Sequence, residues 1–299
     1  MNRVIALGFF DGIHIGHAEL LKKVKAVANE KGATPSVLSF DVHPDSVVFN
    51  VDVPLLGDTI SRQEIIKRCF GIDDVIFIHF SKSVMEMEPG DFLDSIVDQL
   101  DVIHIVCGYD FTFGKYGAGN AAFLREYCIA HNLGVDIIPQ VTLDGKVVSS
   151  TYIRELIENG DIETANRFLG HPHCLSDTVH SGYHVGRKME APTINMFFPP
   201  NVIVPKHGVY ATRVILEDKS EHEAVTNIGV RPTFSDDNKV SVESHLLDFT
   251  GDLYGLPARV DFYSYLRPEI KFEDMDALSI QIRNDTEQTR KYFEKAEKA

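Results

Sequence analysis

Two textures of apolar and polar positions follow one another along this chain. In the first half, short apolar runs at 4–8, 36–40, 75–80, 102–107 and 135–138 alternate with stretches of helical periodicity near 17–31, 61–70, 90–100 and 120–133. Runs such as Val75-Ile76-Phe77-Ile78-His79-Phe80 and Val102-Ile103-His104-Ile105-Val106-Cys107 are nearly continuous rather than alternating. That pattern predicts strands covered on both faces, a parallel sheet sandwiched between helices in the Rossmann-like manner. Leu143-Asp144-Gly145-Lys146 reads as a hairpin turn, Ser149-Ser150-Thr151 opens a further helix, and a second helical stretch runs to Leu169. From about 173 to 265 the texture changes to short β-like runs, among them Gly208-Val209-Tyr210-Ala211-Thr212-Arg213-Val214 and Ala258-Arg259-Val260-Asp261-Phe262, punctuated by Gly, Pro and Asn. These predict a small antiparallel β-barrel, closed by a helix of about 20 residues from Asp274. The expected division is an α/β domain over 1–170 and a barrel domain over 171–299, with the boundary at Leu169-Gly170-His171-Pro172.

A chain of 299 residues accommodates two such cores. The net charge of −15 argues against a nucleic-acid or anionic-membrane surface, both of which need a basic footprint. Cys69, Cys107, Cys128 and Cys174 are widely spaced, which disfavours a disulfide scaffold and a zinc site. The start of the chain lacks a basic-then-apolar leader and no apolar run reaches membrane-spanning length, so a cytoplasmic location is expected.

Chemistry concentrates first in Gly8-Phe9-Phe10-Asp11-Gly12-Ile13-His14-Ile15-Gly16-His17, between the first strand and the first helix. Glycines allow close backbone approach to phosphates, and a helix N-terminus offers N–H groups and a positive dipole end. Two imidazoles there can neutralise charge that develops as pyrophosphate leaves a nucleoside triphosphate. The pattern is neither a Walker loop nor a Gly-x-Gly-x-x-Gly fingerprint. Phe40-Asp41-Val42-His43-Pro44 and Gly108-Tyr109-Asp110-Phe111-Thr112-Phe113-Gly114 end two other strands at the same edge. In Val148-Ser149-Ser150-Thr151-Tyr152-Ile153-Arg154, several hydroxyls and an arginine exceed what a simple N-cap requires and suit a triphosphate.

Together, Gly-x-Phe-Asp-Gly-x-His-x-Gly-His, Asp-Phe-x-Phe-Gly and Ser-Ser-Thr-x-Ile-Arg resemble the prokaryotic bifunctional riboflavin kinase/FMN adenylyltransferase (FAD synthetase) family. Gly186-Arg187 with Pro192-Thr193-Ile194-Asn195, Asn227-Ile228-Gly229-Val230-Arg231-Pro232-Thr233, Val242-Glu243-Ser244-His245, and Leu266-Arg267-Pro268-Glu269 continue the resemblance over nearly the whole chain. It implies a nucleotidyltransferase sandwich followed by a riboflavin kinase-like barrel, with ATP, FMN and riboflavin as substrates and Mg²⁺ as cofactor. It implies His14, His17 and Arg154 as catalytic groups of adenylyl transfer, and Gly8, Phe9, Phe10, Asp11, Gly16, Ser150 and Thr151 at ATP. His43, Asp110 and Phe111 would face the flavin. In the second domain Gly186 and Arg187 would bind ATP, Thr193 and Asn195 would bind Mg²⁺, and Glu243 would be the general base.

The barrel half departs from the family pattern. Glu190-Ala191 stands where Gly-Phe is usual, Ser181-Gly182 where His-Gly is common, and Asp177 where a glycine is expected; Thr112 replaces a frequent Arg. A carboxylate beside ATP phosphates repels them, so one alternative is a monofunctional FMN adenylyltransferase with an impaired kinase-like domain. Another His-x-Gly-His nucleotidyltransferase lacks the second half's motifs, and a non-catalytic flavin-binding regulator has no need of His14, His17 and Arg154.

Overall fold

The computed structural model describes residues 1–180, 193–230 and 240–298. Their chain separates into two compact units, Met1–Ser150 and Thr151–Ala299, each considered by itself.

In the first unit the predicted alternation is realised as β1 (Arg3–Leu7), α1 (Ile15–Lys31), β2 (Thr34–Phe40), α2 (Pro44–Phe49), α3 (Thr59–Phe70), β3 (Asp74–Ile78), α4 (Lys82–Met85), α5 (Pro89–Leu100), β4 (Val102–Gly108), α6 (Ala121–Ala130) and β5 (Gly134–Ile138). The five strands form one parallel sheet in the order β3-β2-β1-β4-β5. Ile5, Leu7, Ile105 and Cys107 from its central strands are buried with Phe92, Leu93 and Ile96 of α5 and Leu124 and Cys128 of α6. Sequence periodicity did not disclose the short α2 and α4, each of which follows its strand after three residues. The hairpin expected at Leu143–Lys146 pairs β6 (Thr142–Leu143) with β7 (Lys146–Val147), and positive φ at Asp144 and Gly145 suits a two-residue turn.

All five parallel strands end at one edge of the sheet, and β1 lies between β2 and β4. Chain order therefore reverses beside β1, the position where open α/β sheets leave a crevice for ligands. The loops after β1, β2 and β4 are the ones that carry the motifs.

Helix α7 (Ser150–Asn159) runs from the first unit into the second, where α8 (Ile162–Leu169) precedes β8 (His173–Thr178), β9 (Thr193–Phe197), β10 (Gly208–Leu216), β11 (Glu221–Val230), β12 (Val240–Leu246), β13 (Pro257–Arg267) and α9 (Met275–Ala296). The strands form an antiparallel sheet in the order β8-β13-β10-β11-β12-β9, curled into a half-barrel whose outer strands meet. That seam is thin. His180 N donates to Asn195 O at 2.8 Å, and the Asp177 carboxylate accepts from Phe197 N at 3.0 Å. The terminal helix is held to β13 by Arg267, whose Nε and Nη2 donate to the Asp285 carboxylate at 2.9 and 2.7 Å.

His173 is buried against Phe262, and burial, reinforced by nearby His171, pushes its imidazole down to about 4. Its unfolded counterpart takes a proton near pH 6.5, so acidification between 6.5 and 4 favours unfolding. Between pH 7.5 and 5 this residue alone should cost about 2 kcal/mol. Urea unfolding of H173F at both pH values is expected to show a stability loss smaller than wild type by that amount; equal losses would remove His173 as the cause.

Candidate active sites

The loop after β1 is built tightly. Phe10 and Ile13 adopt left-handed backbone conformations (φ 57° and 46°) although neither is glycine, and Phe10 is fully buried. Such residues persist only where the surroundings hold them. Several bonds do so here: Asp11 Oδ1 accepts from Leu56 N at 2.8 Å, and Asp11 O accepts from Ser150 Oγ at 3.0 Å. Ser150 is thus fastened to the same loop as the histidines. A Cβ on Gly8 would come within 3.1 Å of the Phe10 ring, and one on Gly16 within 3.1 Å of the His14 ring.

His14 caps α1. Its Nδ1 accepts from the backbone N–H of His17 at 3.2 Å, so the proton of the neutral ring sits on Nε2. The two imidazoles stack with centroids 3.6 Å apart and planes 10° from parallel, and the Phe10 ring also contacts His17, tilted, at 5.1 Å. Burial holds His17 well below the ordinary imidazole range, aided by His14 and by the cation of Arg62. The site therefore presents two stacked imidazoles at a helix N-terminus, with His17 held uncharged at neutral pH.

The loop after β2 brings His43 beside this pair's strand. His43 caps α2 through Nδ1, which accepts from Asp45 N at 3.1 Å, and its ring meets the Phe9 ring edge-on at 4.6 Å. After β4, Asp110 is exposed while Phe111 is half-buried and stacked on Phe113, which belongs to the core. Gly114 has φ 71°, and a Cβ there would lie 2.8 Å from the Pro89 backbone, so only glycine lets this loop close onto α5. Gly8, Phe9, Phe10, Asp11, His14, Gly16, His17, His43, Asp110, Phe111 and Ser150 thus belong to one sheet edge or the loops around it. Thr151 and Arg154 lie in the second unit, one helical turn apart, with Arg154 Nη2 donating to Thr151 Oγ1 at 3.3 Å.

One residue of this site escaped the sequence reading. Arg62, on α3, is 1% exposed and donates from Nη1 to Phe9 O at 2.7 Å and Ser39 Oγ at 3.0 Å, and from Nη2 to Phe40 O at 2.9 Å. Its guanidinium lies over the rings of Phe9 and Phe77, at 4.6 and 5.0 Å.

In the second unit the register of three strands assembles a polar row. Glu243 on β12 stands opposite Asn195 on β9 and Asn227 on β11. Val242, Met196 and Ile228 form the adjacent row, and all three are fully buried in the barrel interior. Strand alternation therefore separates the fully buried inner face from the face that carries Glu243, Asn195 and Asn227. Thr193, two residues before Asn195, shares that second face. Asn227 Nδ2 donates to Glu269 Oε1 at 3.0 Å, and a Cβ on Gly229 would collide with the same carboxylate at 2.1 Å. Asn227 and Glu269 sit within motifs quoted from the sequence, but their closeness to the Glu243 row depends on strand register.

Asp177, one of the departures from the family pattern, lies at the β8–β9 seam. Its carboxylate accepts from Phe197 N and contacts His180 Nε2 at 3.2 Å. The other departures in this half (Ser181, Gly182, Glu190, Ala191), and with them Gly186 and Arg187, lie outside the described residues. Among the described residues no three His, Cys, Asp or Glu side chains group into a metal cluster, and no helix is long and apolar enough to cross a membrane.

Comparison with known proteins matches both units. The FAD synthetase family model covers residues 1–152 and the riboflavin kinase model residues 169–293. The bifunctional riboflavin kinase/FMN adenylyltransferase of Listeria monocytogenes is 36% identical over 299 residues, covering 99% of this chain and 94% of its own length. That of Bacillus subtilis is 34% identical over 297 residues, covering 97% and 92%. A crystal structure from Streptococcus pneumoniae, described as a macrolide-efflux protein, superposes with a TM-score of 0.85 at 28% identity over 97% of this chain and 94% of its own. With both family models matched in order and full-length relatives above 30% identity, the chain belongs to the bifunctional riboflavin kinase/FMN adenylyltransferase family.

Proposed function

We propose that the domain over 1–170 transfers AMP from ATP to FMN, giving FAD and pyrophosphate, and that the domain over 171–299 supplies FMN by phosphorylating riboflavin with ATP. The observation that carries the first step is the stacked His14–His17 pair at the switch point of the parallel sheet.

In adenylyl transfer an FMN phosphate oxygen attacks the ATP α-phosphorus, the bond from that phosphorus to the oxygen bridging to the β-phosphate breaks, and pyrophosphate departs. Negative charge grows on that bridging oxygen. His14, with its proton on Nε2, donates to it, and His17 lies parallel at 3.6 Å to share the charge. Gly8, Phe9, Phe10, Asp11 and Gly16 shape the backbone cradle, while Ser150, Thr151 and Arg154 take the β- and γ-phosphates. His43, Asp110 and Phe111 line the flavin side. Most of the catalysis is positioning and charge stabilisation.

In the kinase step Glu243 takes the proton of the ribityl hydroxyl as its oxygen attacks the ATP γ-phosphorus and ADP leaves. Thr193 and Asn195 offer neutral oxygens beside Glu243, a donor set that suits Mg²⁺ arriving with the nucleotide rather than a dedicated protein cage. When bound, Mg²⁺ neutralises phosphate charge. Gly186 and Arg187 complete the ATP site.

The alternative, a silent kinase, rests on Glu190 and Asp177. Asp177 favours the working enzyme, because its carboxylate is engaged by Phe197 N and His180. Chromatography of flavins after incubation with Mg-ATP decides. FAD from both FMN and riboflavin is expected; FAD from FMN alone would leave only the adenylyltransferase.

A further inference from the structure

The carboxyl ends of β1 and β2 hold an arginine from behind. Arg62 is buried on α3, yet its planar fork reaches two backbone carbonyls on different strands, Phe9 O and Phe40 O, and the Ser39 hydroxyl between them. Ser39 Oγ itself donates to Phe9 O at 2.7 Å, so that carbonyl receives two donors. The next residue, Phe10, is the first of the left-handed positions of the loop, and its ring packs on His17. The guanidinium also covers the Phe9 ring, whose edge meets His43. A single side chain is therefore in contact with the residue that starts the strained loop and with the strand end from which His43 follows.

We propose that Arg62 is a positioning residue for adenylyl transfer: its guanidinium, with Ser39, locks the carboxyl ends of β1 and β2 and thereby fixes the loop that presents His14 and His17. The proposal rests on the assignment of FAD synthesis to this loop. Burying a cation this deeply is costly unless it is compensated, and here three hydrogen bonds from the Nη1 and Nη2 fork and two aromatic faces offset the cost, while Nε stays without a hydrogen-bond partner. Burial lowers the guanidinium only to about 10, opposed by Asp11, Asp58 and Asp41, so it stays charged at neutral pH. Nothing in this geometry requires Arg62 to touch substrate. It acts through Phe9, Phe10 and His17, where a small displacement is enough to misalign an in-line displacement.

The test uses the full chain as wild type, R62K and S39A, with both activities and the thermal transition measured for each. Lysine keeps the charge, but its single nitrogen cannot span Phe9 O and Phe40 O as a planar fork. S39A removes the hydroxyl relay with little change in volume. The kcat for FAD formation from FMN is expected to fall about tenfold or more in R62K and about threefold in S39A, with KM for ATP changing less than about threefold. Riboflavin phosphorylation, carried by the other unit, should stay within about twofold of wild type, which a merely structural role would not predict. The proposal fails if kcat for FAD formation stays within about twofold of wild type in both variants, or if both activities fall together with the thermal transition. Should R62K not fold, S39A carries the same test alone. A wild-type chain that makes no FAD from FMN would instead overturn the underlying assignment of activity.

Discussion

His17→Ala is expected to lower kcat for FAD formation from FMN by about 100-fold or more while KM for FMN changes little. The imidazole it removes is not a surface group. It stacks on His14 at 3.6 Å and meets the Phe10 ring at 5.1 Å, and Nδ1 is buried without a hydrogen-bond partner. A buried ring nitrogen left unpartnered is costly to the fold, as expected where stability is set against a function. The backbone N–H that holds His14 in its tautomer remains in the variant, since the bond to His14 Nδ1 comes from the main chain. The substitution therefore subtracts the charge-sharing partner and leaves the donor. Steady-state kinetics with FMN and Mg-ATP, alongside riboflavin phosphorylation by the same protein, check this. An equal loss in both activities would assign His17 to folding. A loss confined to KM would make it a binding group with no role in the transition state.

The same site shows what a sequence can and cannot disclose. His14 and His17 stand out because a glycine-rich junction between a strand and a helix has few purposes, and parallel strand signals fix which edge of the sheet carries it. The tautomer of His14 was not legible: it follows from a cap bond between His17 N and His14 Nδ1, which exists only once α1 starts at Ile15. Arg62 reads in the sequence as one of several charges on an amphipathic helix, Arg62, Lys67 and Arg68 among them. Only its fold-dependent depth distinguishes it, with Lys67 exposed on the same helix. In the second unit Glu243 was found through its motif, whereas the placement of Asn227 beside it depends on pairing between β11 and β12. Arg267, part of another motif, turns out to grip Asp285 and dock the terminal helix. Asp177 looked like a defect in a phosphate loop because a glycine was expected there; in the fold its carboxylate bridges β8 and β9.

Glu243→Gln is expected to lower FMN formation from riboflavin by about 100-fold or more and to leave FAD formation from FMN unchanged. Glutamine has the shape of glutamate and keeps an acceptor and gains a donor, so it can sit opposite Asn195 and Asn227 without disturbing the register of β9, β12 and β11. What it lacks is the basicity to take the ribityl proton as the oxygen attacks phosphorus. Positioning of ATP by other groups survives, which makes a loss in kcat with a nearly constant KM for riboflavin the signature. The neighbouring carboxylate offers the competing outcome. Glu269 is bonded to Asn227 at 3.0 Å, and Gly229 leaves it the room it occupies. If E243Q retains most of its riboflavin phosphorylation and E269Q does not, the base is Glu269 and the polar row serves to orient it. If E243Q alone silences the kinase, FAD made by that variant comes only from added FMN, and the two reactions of the chain are separated by one oxygen-for-nitrogen exchange.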